Sequence, residues 1–402
     1  MISGKQSKTF ISSVHDFYVP VGWNRALRDP GEASPCMNII PGVNAVRMLL
    51  SYAIASLMLL ALAGSCSREA QINGDMAIDE TRVLLQYLEQ NGNLVNDPDI
   101  PTMISAEEVY DRLKGFNQLI IDLRPAAEYG EGHIVNSVNI LPADILHYFE
   151  HAIEPNSFEK IVLVCNNAKL SGYVTAVLQF LGYGNVVFMR NGLSSWDMGI
   201  AGKHWLPAMS SHLEGRLETT PHPKNQPGPL PAIHTGKADG YSILRSRAGV
   251  ILQVDHGSTV IGAEKVLEDP SAFYIINYWP KTLYDQGHIA GSIQYEPKAS
   301  LGGDQHLNTL PVDQPIVIYC YTAHHSVYPV AYLRLLGYDA WHIPYGVNAF
   351  IQQTMLDTQP ARRSFLPGMV MNYPLVGSDK PEAAVRPGLE RKTETIAIQG
   401  GC

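Results

Sequence analysis

The sequence predicts an α/β fold that occurs in two copies, each a mainly parallel sheet flanked by helices. Within each copy, continuous aliphatic runs alternate with segments of helical apolar periodicity, as in parallel sheets with crossover helices. The two copies are in register, because four pairs of matching positions are each separated by 155 residues: Asp122 and Asn277, His133 and His288, Cys165 and Cys320, Gly182 and Gly337. This regularity indicates an internal duplication.

The elements of the first copy follow from local patterns. Ser105 and Glu108 form a capping box, which predicts a helix over "AEEVYDRL". The runs "QLIIDLR", "KIVLV" and "NVVFM" are typical of strands buried on both faces. Between the last two runs, four apolar residues share one face of a predicted helix that ends at Gly182: Val174, Val177, Leu178 and Leu181.

These patterns divide the chain into seven segments. Residues 1–47 show no periodicity and are interpreted as an over-extended leader, with Met37 or Met48 as the true start. The linker contains "TPHPKNQPGPLP", whose five prolines predict a stiff, extended conformation. The other segments are a signal peptide (48–66), a helical lead-in (67–98), the first domain (99–205), the linker (206–244), the second domain (245–357) and an extended tail (358–402).

Residues 48–66 have the pattern of an export signal. Arg47 precedes a run without charge from Leu49 to Ser65, and small residues end it. Ala63-Gly64-Ser65-Cys66 resembles a bacterial lipobox, although Ala63 stands where leucine is usual. The resemblance implies a lipid-modified Cys66 and a location in the bacterial cell envelope, facing the periplasm or the exterior. A plain signal peptide or a transmembrane anchor, which needs about 20 apolar residues, is the alternative.

Composition limits the classes of partner. A net charge of −9 without a run of Lys or Arg argues against a nucleic-acid surface. Outside the leader and the lipobox, three of the five cysteines remain, namely Cys165, Cys320 and Cys402. Three thiols do not form a paired disulfide framework, which favours reactive cysteines.

Two of these cysteines directly follow predicted strands. Ligands of parallel α/β sheets bind at the carboxyl ends of the strands, where Cys165 and Cys320 are placed. The chain must then turn into a helix, so that backbone N–H groups and a helix N-terminus favour a thiolate or an anionic substrate. A buried structural cysteine is the alternative. Retention of the cysteine in two otherwise divergent loops favours chemistry.

The same regions resemble the rhodanese family. "LIIDLRPAAEYGEGHIVNSVNI", Cys165 with a six-residue loop, and "FMRNGLSSW" carry the resemblance in the first copy. The second copy keeps "GHIAGS" and Cys320, but Asn277 and Trp279 replace the Asp and Arg of the family's Asp-x-Arg motif. The resemblance covers about residues 100–205 and 245–357. It implies that His133 and His288 are hydrogen-bonded framework residues.

The resemblance implies a sulfurtransferase. Its thiolate takes sulfane sulfur from a thiosulfate-like donor and passes it, as a persulfide, to a thiol or cyanide acceptor; no cofactor and no metal are needed. Cys320 and Cys165 are the expected catalytic residues, with Cys320 the more reactive, because the second copy usually carries the chemistry in tandem proteins. The expected substrate-binding loops are Asn166, Asn167, Ala168, Lys169, Leu170 and Ser171, and Tyr321, Thr322, Ala323, His324, His325 and Ser326.

Both loops depart from the family pattern. Leu170 and His325 stand where the family has a donor-binding arginine, and Ala168 and Ala323 stand where it has glycine. Lys169 in the first loop, and Thr322 with His324 or His325 in the second, are candidate replacements for the arginine.

These departures leave alternatives to an enzyme open. A degenerate sulfur carrier or protein-binding module is one. A phosphatase is disfavoured, because Ser171 and Ser326 stand where a Cys-x5-Arg loop needs arginine. Zinc or copper at His324, His325 and His342 is disfavoured, because these residues lack a matching ligand spacing. Cys402, at the end of a Gly-containing tail, is a candidate for relaying sulfur from Cys320.

Overall fold

The computed structural model describes residues 78–358 and 363–377. The predicted leader, the signal peptide with Cys66, and Cys402 lie outside these ranges. Within them, no helix combines the length and the apolar character needed to cross a membrane.

Two parallel sheets confirm the predicted fold class. The first has five strands in the order β1-β5-β4-β2-β3, and the second has four in the order β7-β6-β8-β9. In chain order the strands are β1 (Met103–Ile104), β2 (Gln118–Asp122), β3 (Val138–Asn139), β4 (Lys160–Val164), β5 (Val186–Met189), β6 (Tyr274–Asn277), β7 (Ile293–Gln294), β8 (Ile316–Tyr319) and β9 (Ala340–His342). The strands that precede the two cysteines, β4 and β8, lie in the interior of their sheets.

Helices flank both sheets. In chain order they are α1 (Glu80–Gln90), α2 (Ala106–Arg112), α3 (Ala126–Glu131), α4 (Ile145–His151), α5 (Lys169–Phe180), α6 (Met198–Lys203), α7 (Trp205–Ala208), α8 (Gly240–Gln253), α9 (Ala263–Glu268), α10 (Lys281–Tyr284), α11 (Val327–Leu335) and α12 (Gln352–Thr358). Ser105 caps α2 by accepting a hydrogen bond from the Glu108 amide, as the capping box predicts. The Asp239 side chain caps α8 in the same way, so that α8 begins inside the predicted linker.

The two copies pack as one body. The helices that follow the two cysteines, α5 and α11, lie side by side between the sheets. A Cβ atom on Gly172 of α5 would lie 2.9 Å from Val327 Cγ2 of α11, so the absence of a side chain permits this close approach. The largest hydrophobic cluster accordingly contains buried residues of both copies, together with Leu84 and Leu85 of α1.

Each copy is also covered by a segment that extends from the other. Residues 209–222, the first strap, leave the first copy and lie on the second. Their contacts include the bond from the Ser210 amide to Asn348 O (3.0 Å) and the two-way backbone pairing of Glu218 with His288 (2.9 Å). Residues 363–377, the second strap, return from the second copy to the first. There, the Tyr373 amide bonds Trp196 O (2.9 Å), and Val376 pairs with His133.

Candidate active site: two cysteine loops between the copies

Cys165 and Cys320 are both free and buried, and each directly follows an interior strand. Each loop rests on a glycine with a positive φ angle, Gly192 or Gly346. A Cβ atom would lie 2.3 Å from Cys165 O at Gly192 and 2.2 Å from Cys320 O at Gly346. The backbone of each cysteine loop is therefore fixed by direct contact with a glycine turn.

The first loop directs hydrogen-bond donors at its sulfur. Helix α5 begins at Lys169, and the amide of Ser171 in its first turn points toward Cys165 Sγ at 3.4 Å. The hydroxyl of Ser171 lies at the same distance from the sulfur. Ala168 adopts a left-handed conformation (φ 68°) that starts the helix immediately after the loop. An amide, a hydroxyl and the positive end of the α5 helix dipole therefore all face the Cys165 sulfur.

The second loop has a different geometry. Helix α11 begins only at Val327, three positions later relative to its cysteine than α5. The hydroxyl of Ser326, the counterpart of Ser171, donates to Ala323 O (3.2 Å) instead of the thiol. Within residues 78–358 and 363–377, no hydrogen bond reaches Cys320 Sγ. The sequence predicts that Cys320 is the more reactive thiol, but the hydrogen bonds of the two sulfurs do not favour this order.

Lys169 is the cationic side chain beside Cys165. Its Nζ lies 3.6 Å from the ring centroid of Tyr345, which belongs to the second copy. Burial lowers the pKa of Lys169 to about 7, although the neighbouring Cys165 acts in the opposite direction. The Tyr345 hydroxyl accepts a hydrogen bond from Asn167 Nδ2 (3.2 Å). The first loop is thus completed by the second copy.

Two further residues of the first loop, Asn166 and Leu170, contact other parts of the chain. Asn166 donates to Glu128 Oε2 (2.7 Å), and Leu170, at the position of the family's arginine, packs against the hydrophobic core. Leu170 therefore supplies no contact for an anionic donor.

The two histidines of the second loop are neutral; His324 is buried and His325 is half-buried. The Asn191 amide donates to His324 Nε2 (3.3 Å), so the proton of a neutral His324 is on Nδ1, which lies 3.0 Å from Thr322 Oγ1. Burial lowers the pKa of His324 well below its usual range. Burial, together with Lys298, Arg190 and Arg363, lowers the pKa of His325 to about 4. Neither ring carries the positive charge that would replace an arginine.

Tyr321 is covered from two sides. Its ring stacks on Trp279 at 4.9 Å and 10°. On it lies the guanidinium of Arg363, at 4.7 Å from the ring centroid, with Nη1 donating to the Tyr321 hydroxyl (3.1 Å). Arg363 belongs to the second strap, in a segment that the sequence predicted as tail. The strap therefore places an arginine beside the second loop.

The Asp-x-Arg motif of the first copy is a buried ion pair. Arg124 Nη2 lies 2.7 Å from Asp122 Oδ2 and donates to Gly132 O at the same distance. The second copy replaces this pair by a neutral network, in which the Tyr319 hydroxyl accepts from Asn277 Nδ2 (2.7 Å) and from the Ile289 amide (3.1 Å). Each arrangement connects the end of a strand, β2 or β6, to the glycine-histidine motif or to the residue that follows it. The motif is therefore framework in both copies.

Two of the histidines considered as metal ligands, His324 and His342, lie in different surroundings. His324 contacts the first copy, whereas His342 lies beside His256, with ring centroids 5.8 Å apart.

The histidines of the two glycine-histidine motifs are hydrogen-bonded, as the resemblance implies. His133 Nδ1 lies 2.9 Å from Tyr129 O, and His288 Nδ1 lies 2.8 Å from Tyr284 O.

Comparison with known proteins supports the duplication. A family model described as "Rhodanese-like domain" matches residues 105–198 and again 263–353. An uncharacterized protein of Buchnera aphidicola subsp. Schizaphis graminum is 27% identical over 79 residues, which are 20% of this chain and 53% of that protein. The match thus spans about half of that relative.

Three similar solved structures match between 24% and 74% of this chain. A rhodanese-related protein from Thermoplasma volcanium is 27% identical, with 24% of this chain and 89% of that chain covered and a TM-score of 0.21. A thiosulfate sulfurtransferase from Pseudomonas aeruginosa is 16% identical, with 74% of each chain covered and a TM-score of 0.24. A protein from Escherichia coli, described with the 3-mercaptopyruvate sulfotransferases, is 16% identical over 60% of this chain and 97% of its own, with a TM-score of 0.22.

Proposed function

We propose that this chain, which contains two rhodanese-like domains, transfers sulfane sulfur through a persulfide on Cys165. One observation carries the choice of residue: the amide and hydroxyl of Ser171 both lie 3.4 Å from Cys165 Sγ, at the start of α5. Cys320 lies at the matching position, and among the residues that the structure describes no such donor reaches its sulfur. Cys165 therefore takes the role that sequence reasoning gave first to Cys320.

The proposed reaction has two steps. The Cys165 thiolate attacks the outer sulfur of thiosulfate, an S–S bond forms on the cysteine, and sulfite leaves with the electron pair of the broken S–S bond. A cyanide or thiolate acceptor then attacks the terminal sulfur of the persulfide. Thiocyanate or a new persulfide leaves, and the Cys165 thiolate is restored. The donors at the sulfur stabilise the anionic persulfide between the steps.

Lys169 is the residue that we propose to attract the anionic donor. Its ammonium lies over Tyr345 at the edge of the loop, and the amide of Asn167 bonds the same tyrosine. Because Cys165 is only 4% exposed, we expect a movement of Lys169 and Tyr345 to admit the donor.

Intact mass of the full-length chain after incubation with thiosulfate tests the proposal. We expect a gain of one sulfur atom, reversed by cyanide, in the wild type and in Cys320→Ser, and its loss in Cys165→Ser. Thiocyanate production should follow the same order. Sulfur retained in Cys165→Ser and lost in Cys320→Ser would contradict the assignment to Cys165.

A sulfur-carrier role without rapid turnover is the second candidate. It is favoured by the burial of both thiols, which are 4% and 1% exposed, and by Leu170 at the arginine position. A carrier should load one sulfur per chain and release it once, whereas an enzyme should form many equivalents of thiocyanate per chain. Steady-state thiocyanate assays with excess thiosulfate and cyanide distinguish the two.

The envelope location remains a proposal that rests on the sequence alone. A lipid-modified Cys66 would anchor the two domains to a bacterial envelope membrane, so that small anionic sulfur donors and thiol acceptors meet them there. Sulfur relay to Cys402 also stays a proposal.

A further inference from the structure

Three metal-ligating side chains converge where the first strap crosses the second copy. Glu218 Oε1 lies 2.7 Å from His222 Nε2 and 3.9 Å from His288 Nε2, and one ligand atom from each residue lies within 4.8 Å of the others. We propose that Glu218, His222 and His288 bind a divalent transition-metal ion of the zinc class, with the carbonyl oxygen of Thr220 as a fourth ligand. The site is separate from both cysteine loops and does not depend on sulfur transfer.

His288 is oriented as a metal ligand. Its ring is buried and stacks on Tyr284 at 3.6 Å and 7°, and Nδ1 lies 2.8 Å from Tyr284 O. A proton on Nδ1, donated to Tyr284 O, would turn the lone pair of Nε2 toward the strap, as in many metal-bound histidines. Nε2 lies 3.0 Å from Thr220 O. Two electron-rich atoms that face each other at this distance require a proton or a cation between them.

The spacing of the ligand atoms fits a small cation. With zinc–ligand bonds of about 2.0–2.2 Å, adjacent ligand atoms of a tetrahedral site lie about 3.3–3.6 Å apart. The distances from His288 Nε2 to Thr220 O (3.0 Å) and to Glu218 Oε1 (3.9 Å), and from Glu218 Oε1 to His222 Nε2 (2.7 Å), bracket this range. The side chains of Glu218 and His222 are 29% and 34% exposed, so they can adjust and admit an ion from solvent.

The donor set suits zinc better than calcium or magnesium. Two imidazoles and one carboxylate are borderline ligands, whereas the alkaline-earth ions prefer oxygen alone. Glu218 supplies the carboxylate, and its Oε1 is held in place by a hydrogen bond from the Gly291 amide (2.6 Å). A carboxylate at this position can offset part of the charge of a divalent cation.

The first copy provides an internal comparison. His133 has the same environment as His288: Nδ1 lies 2.9 Å from Tyr129 O, and the ring stacks on Tyr129 at 3.7 Å. The strap residue that pairs with its backbone is Val376, where the second copy has Glu218. The framework role of the histidine thus needs neither a carboxylate nor a second imidazole. In the part of the chain that the structure describes, the ligands added by Glu218 and His222 occur at the second copy only.

A bound ion would fix the first strap to the second copy. Glu218 and His222 belong to the strap, and His288 belongs to the domain beneath it. Because an ion that binds only the folded state stabilises that state, zinc should raise the thermal stability of the chain.

Zinc titration of the full-length, chelator-treated chain tests the site. We expect isothermal titration calorimetry to give one zinc ion per chain at this site and zinc to raise Tm. His222→Gln and Glu218→Gln should each weaken zinc affinity by about tenfold or more. His212→Gln is the matched control and should leave the affinity unchanged, because His212 lies on the same strap but contacts Glu264 (3.0 Å) and Ser210 Oγ (2.6 Å) instead of the proposed site.

Cobalt absorption identifies the ligands. Cobalt(II) alone should give a visible spectrum without sulfur charge-transfer bands, and this spectrum should disappear in Glu218→Gln. Zinc binding of equal strength in wild type, His222→Gln and Glu218→Gln would overturn the proposal, as would the absence of zinc binding. Zinc binding that is lost in Cys165→Ser or Cys320→Ser, with sulfur bands in the cobalt spectrum, would place the ion at the thiols and overturn it as well.

Discussion

At the scale of single residues, the two cysteine loops differ in the hydrogen bonds of two serines at equivalent positions. The Ser171 hydroxyl lies 3.4 Å from Cys165 Sγ, whereas the Ser326 hydroxyl donates to Ala323 O. Ser171→Ala should therefore slow alkylation of Cys165 about fivefold, the equivalent of about 1 kcal/mol for one hydrogen bond. Ser326→Ala is the matched control and should leave Cys320 alkylation unchanged. Peptide mass spectrometry after timed iodoacetamide treatment measures both alkylation rates. If the two substitutions changed the rates of Cys165 and Cys320 by the same factor, the two serines would not differ in their effect on the thiols.

Lys169 gives the chain a pH-dependent stability. Because burial lowers its pKa from 10.5 to about 7, the unfolded state binds more protons than the folded state between these values. The charged side chain is thus unfavourable in the fold below pH 7, and this cost disappears as pH rises through the window. From pH 6 to pH 9, urea denaturation should show the wild type gaining about 1–2 kcal/mol relative to Lys169→Met.

The same substitution at the exposed Lys203 controls for the loss of a surface charge. A wild-type chain that keeps a constant stability difference from Lys169→Met across this range would show that the lysine is solvated.

The cysteine positions and the loops that hold them could be read from the sequence, but the donors at each sulfur could not. Strand, cysteine and helix follow from local pattern, whereas the starting point of α5 and α11 differs by three positions through loop conformation. Tyr345 and Arg363 also reach the loops from distant parts of the chain. No local pattern reports contacts of this kind.

At the scale of elements, the two sheets differ beside an interior strand. The first sheet has the Asp122–Arg124 ion pair there, whereas the second has hydrogen bonds to the Tyr319 hydroxyl. Tyr319→Phe would leave Asn277 Nδ2 and the Ile289 amide without their acceptor, which should lower the free energy of unfolding by about 1–3 kcal/mol. Tyr328→Phe is the control, because its buried hydroxyl has no hydrogen bond among the residues that the structure describes. Urea denaturation compares the two variants. Equal stability of both would mean that the Tyr319 network contributes nothing.

The glycine turn that contacts the first cysteine loop gives a second prediction for the elements, namely the loss of stability caused by a side chain at Gly192. Gly192→Ala would place Cβ 2.3 Å from Cys165 O at a φ of 61°, so overpacking adds to backbone strain, and we expect a loss of about 2–5 kcal/mol. Gly182→Ala also has a positive φ, but nothing lies within 4 Å, so only the strain of about 1–2 kcal/mol applies. Urea denaturation gives the free energy of unfolding of both variants. A smaller loss for Gly192→Ala than for Gly182→Ala would contradict the close contact with Cys165 O.

The elements themselves were the most predictable part of the molecule. The third run of the first copy, "NVVFM", is observed as Val186–Met189, and the box at Ser105 opens α2. The proposed metal site was not predictable, because Glu218 and His222 lie in a proline-rich segment without periodicity and His288 follows 66 positions later. Only the path of the first strap over the second copy brings them together.

At the scale of the whole molecule, the two straps make each domain depend on the other. Leu213 of the first strap is buried in a cluster of the second copy that includes Ile343. Leu375 of the second strap is buried in a cluster of the first copy that includes Trp196. The chain therefore cannot be divided into the ranges 99–205 and 245–357 without exposing part of each core.

This exchange predicts crossed effects of two matched substitutions. Leu375→Ala should destabilise the first copy, although residue 375 follows the second copy in the chain, and Leu213→Ala should destabilise the second. Each leucine is nearly fully buried, so the expected loss is about 2–5 kcal/mol. Hydrogen exchange with mass spectrometry should show faster exchange in β4 and β5 for Leu375→Ala and in β8 and β9 for Leu213→Ala. Faster exchange confined to the strap that carries the substitution would mean that the straps only lie on the domains and do not stabilise them.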